Sequence, residues 1–156
     1  MKEKLILSLC VLQSLFHWAA PATAQESLLQ LDSQCRGAIQ SAQERLEQNR
    51  SLTTNIHVVN MVDSRAEYPE GQPLSIGFTL RGSAAPSVMQ SPQMLKAIST
   101  EIITNCQPVS TVTFSVFPTD WSTAYGWFAD GRIEEFKCLA PEHSGGRTPY
   151  GYQSCL

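Results

Sequence analysis

The sequence has few of the features that mark metal-binding, redox or nucleic-acid-binding proteins. It contains no C-x-x-C pair, so neither a thioredoxin-like site nor a zinc knuckle is predicted. It has no basic cluster, which argues against a nucleic-acid footprint and an anionic membrane surface as partners. The run from Ser144 to Arg147 is glycine-rich but lacks the Gly-Lys-Ser/Thr of a phosphate-binding loop. We therefore predict no metal, no cofactor and no nucleic-acid partner.

The sequence also lacks an apolar run long enough to span a bilayer, which takes about 20 residues. Its longest mainly apolar run, residues 5–20, follows Lys2 and Lys4 and precedes Ala22-x-Ala24. A charged start, a short apolar middle and a small-residue site are typical of a cleavable secretory signal. We expect residues 1–24 to be removed, leaving a secreted or periplasmic chain with no stable membrane span.

Two alternatives for this segment are a permanent anchor and a lipoprotein signal. Gln13 and His17 interrupt the run, which counts against an anchor. Lipidation at Cys10 would leave too short an apolar segment, and Leu9 stands where a small residue is expected. Cys10 is therefore interpreted as a hydrophobic residue that is lost with the signal.

Removal of this segment fixes the composition of the mature chain. Residues 25–156 number 132, which suits a single domain that buries roughly two-thirds of its unfolded surface. Of the 11 basic and 14 acidic residues, 9 and 13 remain, so the net charge becomes −4. Four of five cysteines remain, and an even number in an exported chain predicts a disulfide framework.

The patterns along the chain predict an α+β fold with the order α-β-β-α-β-β-β. Apolar residues at spacings of three and four predict helices, and alternating or β-branched runs predict strands. The predicted helices cover 27–50 and 92–106, and the strands 56–62, 74–80, 111–116, 123–129 and 132–138. We expect an antiparallel sheet of about five strands with both helices packed on one face, followed by an irregular tail from about Leu139.

Two local signals predict how elements begin and join. Ser91-Pro92 is typical of an N-cap followed by proline in the first turn of a helix. Asp130-Gly131 predicts a two-residue type I′ hairpin, which would place Phe128 opposite Ile133.

The four cysteines allow three pairings, which the expected sheet ranks. Cys106 precedes one strand and Cys138 ends another that runs in the same direction, so these two residues should lie at opposite ends of the sheet. We therefore favour Cys35–Cys106, which ties the helices together, with Cys138–Cys155, which pins the tail. Loop-closure entropy gives each bridge roughly 3–4.5 kcal/mol. The pairing Cys35–Cys155 with Cys106–Cys138 remains an alternative.

Several short motifs resemble an uncharacterised family of small exported proteins of photosynthetic bacteria. They are Ser91-Pro92 leading to Cys106, Thr119-Asp120-Trp121, Tyr125-Gly126, Glu135-Phe136-Lys137-Cys138, and Gly151-Tyr152 to Cys155-Leu156. The likeness covers most of the mature chain. It implies export and a single domain, and it supplies no catalytic or binding residue.

Aromatic residues around an aspartate form the candidate binding site. Asp120 and Trp121 lie in a predicted turn close to Tyr125 and Trp127. Rings supply flat contact area and a carboxylate supplies a directional acceptor, which suits a sugar or a peptide. Alternatively, Asp120 starts the turn through its side-chain oxygen and Trp121 covers the end of the sheet.

These observations predict an exported, non-enzymatic, single-domain protein that binds an extracytoplasmic protein or a small ligand. A second hypothesis is a small secreted hydrolase that uses His57 or His143 with Asp120. It requires these side chains to converge in one cleft. A purely structural role in the cell envelope is a third hypothesis.

Overall fold

The computed structural model describes residues 28–139 and 146–155. The predicted signal at residues 1–24, with Cys10, lies outside the described residues, as does His143. Within the described ranges, no helix is both long and apolar enough to cross a membrane.

The described chain contains three helices and seven strands. The helices are α1 (Ser33–Glu47), α2 (Ala85–Met89) and α3 (Pro92–Asn105). The strands of the main sheet are β1 (Thr53–Asn60), β2 (Leu74–Arg81), β3 (Val109–Val116), β4 (Ser122–Trp127) and β5 (Ile133–Glu135). A small second sheet pairs β6 (Lys137–Cys138) with β7 (Tyr152–Gln153).

The main sheet has the order β1-β2-β3-β4-β5, which confirms the α+β class and the five strands. Its pairs are antiparallel except for β2 and β3, which are parallel. Parallel neighbours need a long crossover, and α2 and α3 provide it. The sheet is therefore mostly antiparallel, as expected, and departs from the prediction only in the parallel pair of β2 and β3.

One face of the sheet and the two long helices enclose the hydrophobic core. Alternate residues of β2 and β3 point into it, and the rings of Phe78 and Phe114 stack with centroids 5.6 Å apart. The disulfide between Cys35 and Cys106 lies in this core and joins α1 to the end of α3. The second disulfide joins Cys138 to Cys155, so the pairs are those ranked first from the sequence.

The helix boundaries depart from the sequence pattern in three places. α1 begins at Ser33 because the Asp32 side chain accepts a hydrogen bond from the Cys35 backbone N–H at 2.8 Å and caps the helix. Residues 82–90, expected to be a loop, contain α2, which is too short to show helical periodicity. Ser91 precedes α3 without capping it, because its hydroxyl donates to the Ser87 carbonyl.

The register predicted for the β4–β5 hairpin is wrong by one residue. Ile133 pairs with Trp127 rather than with Phe128. The Phe128 N–H donates to the Arg132 carbonyl at 2.9 Å, and Gly131 takes a φ of 81°. These features form a three-residue loop whose last residue is left-handed, instead of a type I′ turn. A one-residue slip exchanges the two faces of a strand, so it changes which side chains reach β4.

The opposite face of the sheet is partly covered by two segments that lack helical or strand periodicity. The loop between β1 and β2 meets the tail where Ala66 N–H donates to the Thr148 carbonyl at 3.1 Å. The Arg65 guanidinium donates to the Pro149 carbonyl at 3.2 Å and lies 5.2 Å from the centre of the Phe136 ring. Residues 146–155 are therefore held against the rest of the domain by β7, by the Cys138–Cys155 bridge and by Arg65.

Candidate functional site

A cleft of about 690 Å³ opens beside the start of β4 and the end of β5. It lies between the turn before β4, the junction of α2 and α3, and the Cys138–Cys155 bridge. We call it the β4 cleft and define it by Asp120, Trp121, Tyr125, Glu135, Cys138 and Cys155. Its volume falls within the range of about 300–1,000 Å³ that is typical of ligand sites.

The turn before β4 presents Asp120 and Trp121 to solvent. Thr119 supplies the side-chain bonds of this turn, since its hydroxyl donates to the Val116 carbonyl at 2.9 Å and accepts from the Trp121 N–H at 3.2 Å. Asp120 is therefore not needed to form the turn. No hydrogen bond or ion pair to the Asp120 carboxylate is found among the described residues, and the Trp121 side chain is 42% exposed.

Glu135 supplies a second carboxylate from a different element. It lies opposite Tyr125 in the β4–β5 pair, and its Oε1 accepts a hydrogen bond from the Thr123 hydroxyl at 2.8 Å. This bond orients the carboxylate beside β4. The backbone pairing of β5 and the Thr123 hydroxyl thus hold Glu135 more firmly than the turn holds Asp120.

Tyr125 belongs to both the core and the cleft. Its residue is 2% exposed, its ring meets Phe114 edge-on at 6.4 Å, and its hydroxyl donates to the Pro92 carbonyl at 3.4 Å. Burial, and secondarily the Glu135 carboxylate, raise the pKa of Tyr125 to about 12. The phenol therefore remains neutral at physiological pH and can offer a hydrogen-bonding group at the base of the cleft.

The charge of the β4 cleft is negative. Asp120 and Glu135 line it, and no lysine, arginine or histidine is found among its described lining residues. Of the neighbouring basic residues, Arg132 contacts Asp130 at 2.7 Å and Lys96 contacts Glu134 at 3.3 Å. Lys137 has no ion pair among the described residues and lines a separate hollow together with Glu135. No described residue forms an ion pair with either carboxylate of the cleft.

The structure brings three of the four predicted binding residues together and separates the fourth. Asp120, Trp121 and Tyr125 all line the β4 cleft, whereas Trp127 does not. Trp127 packs partly against the core and lines a separate hollow of about 350 Å³ with Tyr68 and Tyr150. A continuous ledge from Trp121 to Trp127 is therefore not formed.

The structure does not bring His57 to Asp120. His57 lies on β1, where its imidazole covers Gly77 so closely that a Cβ there would stand 2.0 Å from Nε2. β2 and β3 separate β1 from β4, which at a strand spacing of about 4.8 Å places those strands about 14 Å apart. A general base must reach its partner by a hydrogen bond or one water, so His57 and Asp120 cannot act together.

Sequence reasoning missed Glu135 and the second disulfide as parts of this site. The predicted pairing of Phe128 with Ile133, continued along the two strands, puts Phe136 opposite Tyr125, whereas the structure places Glu135 there. The correct register would have paired a carboxylate with a candidate aromatic residue. No signal in the sequence shows that Cys138 and Cys155 line the cleft, because that depends on the path of the tail.

Two further results bear on the identity of the site. Within residues 28–139 and 146–155, no group of three or more histidine, cysteine or acidic side chains is placed to hold a metal ion. Comparison with known proteins found no matching family model, no matching curated protein and no matching solved structure.

Proposed function

We propose that this chain is an exported, non-enzymatic protein that binds a ligand or a partner in the β4 cleft. The observation that carries the proposal is the cleft itself, which the exposed Trp121 lines together with Asp120 and Glu135. Aromatic rings and directional polar groups around a concave surface are the usual components of a binding site.

Binding accounts for this arrangement better than catalysis does. Ser122 and Ser154 line the cleft, but no histidine accompanies them among the described lining residues. A serine nucleophile needs an adjacent base within hydrogen-bond reach. The same cleft provides contact area and acceptors without any such pair.

The proposed export rests on the two disulfides together with the signal pattern. Disulfides persist in oxidising compartments, and both bridges close within one small domain. Intact mass of the expressed full-length gene product, with and without reductant, tests this part. We expect the mass of residues 25–156 less four hydrogens; retention of residues 1–24 or four thiols would contradict it.

The binding function is tested by screening immobilised short peptides and oligosaccharides against the purified exported protein. We expect at least one binder that Trp121→Ala abolishes. Phe117→Ala is the matched control, because Phe117 is a 51% exposed aromatic residue at the end of β3 that does not line the cleft. Binding that both variants reduce equally, or no Trp121-dependent binder, would contradict the proposal.

A further inference from the structure

The β4 cleft combines features that select for one class of ligand. Its two carboxylates come from separate elements, the turn before β4 and the strand β5, so neither position depends on the other. Trp121, which is 42% exposed, lines the same cleft. Carboxylates and an aromatic face are the groups that attract an organic cation, through charge-assisted hydrogen bonds and through the ring quadrupole.

The surroundings of the cleft strengthen this selection. Near β5, Arg132 and Lys96 form ion pairs with Asp130 and Glu134 outside the cleft, and Lys137 is not among the described residues that line it. An incoming neutral ligand would displace water from Asp120 and Glu135 and leave both charges uncompensated, which is costly. An anionic ligand would be repelled by both carboxylates. A cation removes the penalty because it supplies the missing countercharge.

Tyr125 adds a directional group at the base of the cleft. Its oxygen accepts no hydrogen bond from the described residues, while its proton is directed to the Pro92 carbonyl at 3.4 Å. An ammonium or guanidinium group carries several donors and no acceptor. Such a group therefore suits a cleft whose polar lining includes two carboxylates and the Tyr125 oxygen.

We propose that the β4 cleft binds an organic ammonium or guanidinium group. This inference rests on the proposed binding function and names its ligand class. The cationic group comes either from a basic side chain of a peptide or from a free amine. Asp120 and Glu135 neutralise its charge, and Trp121 covers its hydrocarbon stem.

Calorimetric titration of the exported protein with a trilysine amide tests the inference. We expect binding that weakens as salt is raised, because part-exposed ion pairs are screened. Trilysine amide acetylated on every amine, including the N-terminal one, has the same backbone without positive charge, and we expect it not to bind. Putrescine distinguishes the sources: equal binding assigns a free amine, and weaker binding assigns a peptide side chain.

Charge-removing variants locate the binding in the cleft. Asp120→Asn and Glu135→Gln keep shape and hydrogen-bonding capacity, and each should weaken trilysine binding roughly threefold to tenfold. Glu134→Gln is the matched control, because Glu134 is the neighbouring acid on β5 but does not line the cleft. Thermal unfolding of all three variants should match that of the parent within about a degree or two, as expected for surface substitutions.

The outcomes separate this inference from the proposed function. Equal binding of acetylated trilysine, or equal effects of Glu134→Gln and Glu135→Gln, would overturn the cationic ligand. If a neutral cellotriose binds in a Trp121-dependent way and trilysine does not, the ligand class is wrong and the binding function stands. If no probe in the screen or the titrations binds in a Trp121-dependent way, both are wrong.

Discussion

Cys35 and Cys106 have no exposed surface, whereas Cys138 and Cys155 are both exposed on the wall of the β4 cleft. The first bridge joins two cysteines that are 71 residues apart in sequence, one in α1 and one at the end of α3, and it is surrounded by the apolar core. The second closes only 17 residues and holds the tail beside β5. One chain therefore uses the same covalent bond in two physical settings.

The difference assigns separate tasks to two regions. Around the Cys35–Cys106 bridge, large apolar side chains such as Phe78 and Phe114 are fully buried, so this region carries most of the hydrophobic stabilisation. Around the Cys138–Cys155 bridge, the lining of the cleft includes the exposed residues Asp120, Trp121 and Glu135. We expect stability to depend on the first region and binding on the second.

The largest effect should follow removal of the buried bridge. In the double variant Cys35→Ala/Cys106→Ala, lost loop closure over 71 residues lowers the free energy of unfolding by about 4.4 kcal/mol, and lost core packing adds to this. Cys138→Ala/Cys155→Ala loses about 3 kcal/mol by the same reasoning for its shorter loop. Urea unfolding of both variants measures the order, and a more stable Cys35→Ala/Cys106→Ala protein would contradict the comparison.

A core aromatic residue and a cleft aromatic residue should also differ. Phe114→Ala leaves a cavity beside Phe78 and Tyr125 and should cost about 3 kcal/mol or more. Trp121→Ala removes a ring that is 42% exposed and should cost less than about 1 kcal/mol. Denaturant unfolding gives both values, and similar losses would show that the cleft region carries as much stability as the core.

The exposed bridge should be reduced first. Thiol–disulfide exchange needs access to a sulfur atom, and the described structure gives access at Cys138 and Cys155 but not at Cys35 and Cys106. Brief treatment of the folded protein with dithiothreitol, followed by alkylation and peptide mass analysis, should label only Cys138 and Cys155. Simultaneous labelling of all four cysteines would mean that the two bridges open together.

The smallest effect concerns alkaline pH. The pKa of Tyr125 is raised from 10.0 in the unfolded chain to about 12 in the folded protein, so the folded state favours the neutral phenol. This contribution is fully present below pH 10 and is lost as pH rises towards about 12. Stability measured across this range should fall less steeply in Tyr125→Phe than in the parent. Equal slopes would contradict the raised pKa.

The core was largely predictable from the sequence because its signals are local. The alternation of Ile76, Phe78 and Leu80 with small or polar residues marks the face of β2 that packs in the core, while Ser75 and Gly77 on the other face are also buried. The stripe of α3 ends at Cys106, which places that residue against α1 and Cys35. In these elements, the residues that the periodicity assigns to the core are buried, and this is why the Cys35–Cys106 bridge could be ranked first from the sequence.

The cleft was less predictable because contacts between distant segments define it. Asp120, Trp121 and Tyr125 are close in sequence and were found together. Glu135 was missed because a three-residue hairpin loop shifts the register that Asp130-Gly131 suggested. The tail strand β7 has two residues, too few for any periodicity, and it is set by pairing with β6.

The most direct test measures trilysine binding and urea unfolding in parallel on the two double-cysteine variants. We expect Cys138→Ala/Cys155→Ala to lose most of its binding while remaining at least about 1 kcal/mol more stable than Cys35→Ala/Cys106→Ala, in line with their loop lengths. Unchanged binding in Cys138→Ala/Cys155→Ala, with its tail no longer pinned, would contradict the assignment of the β4 cleft as the binding site.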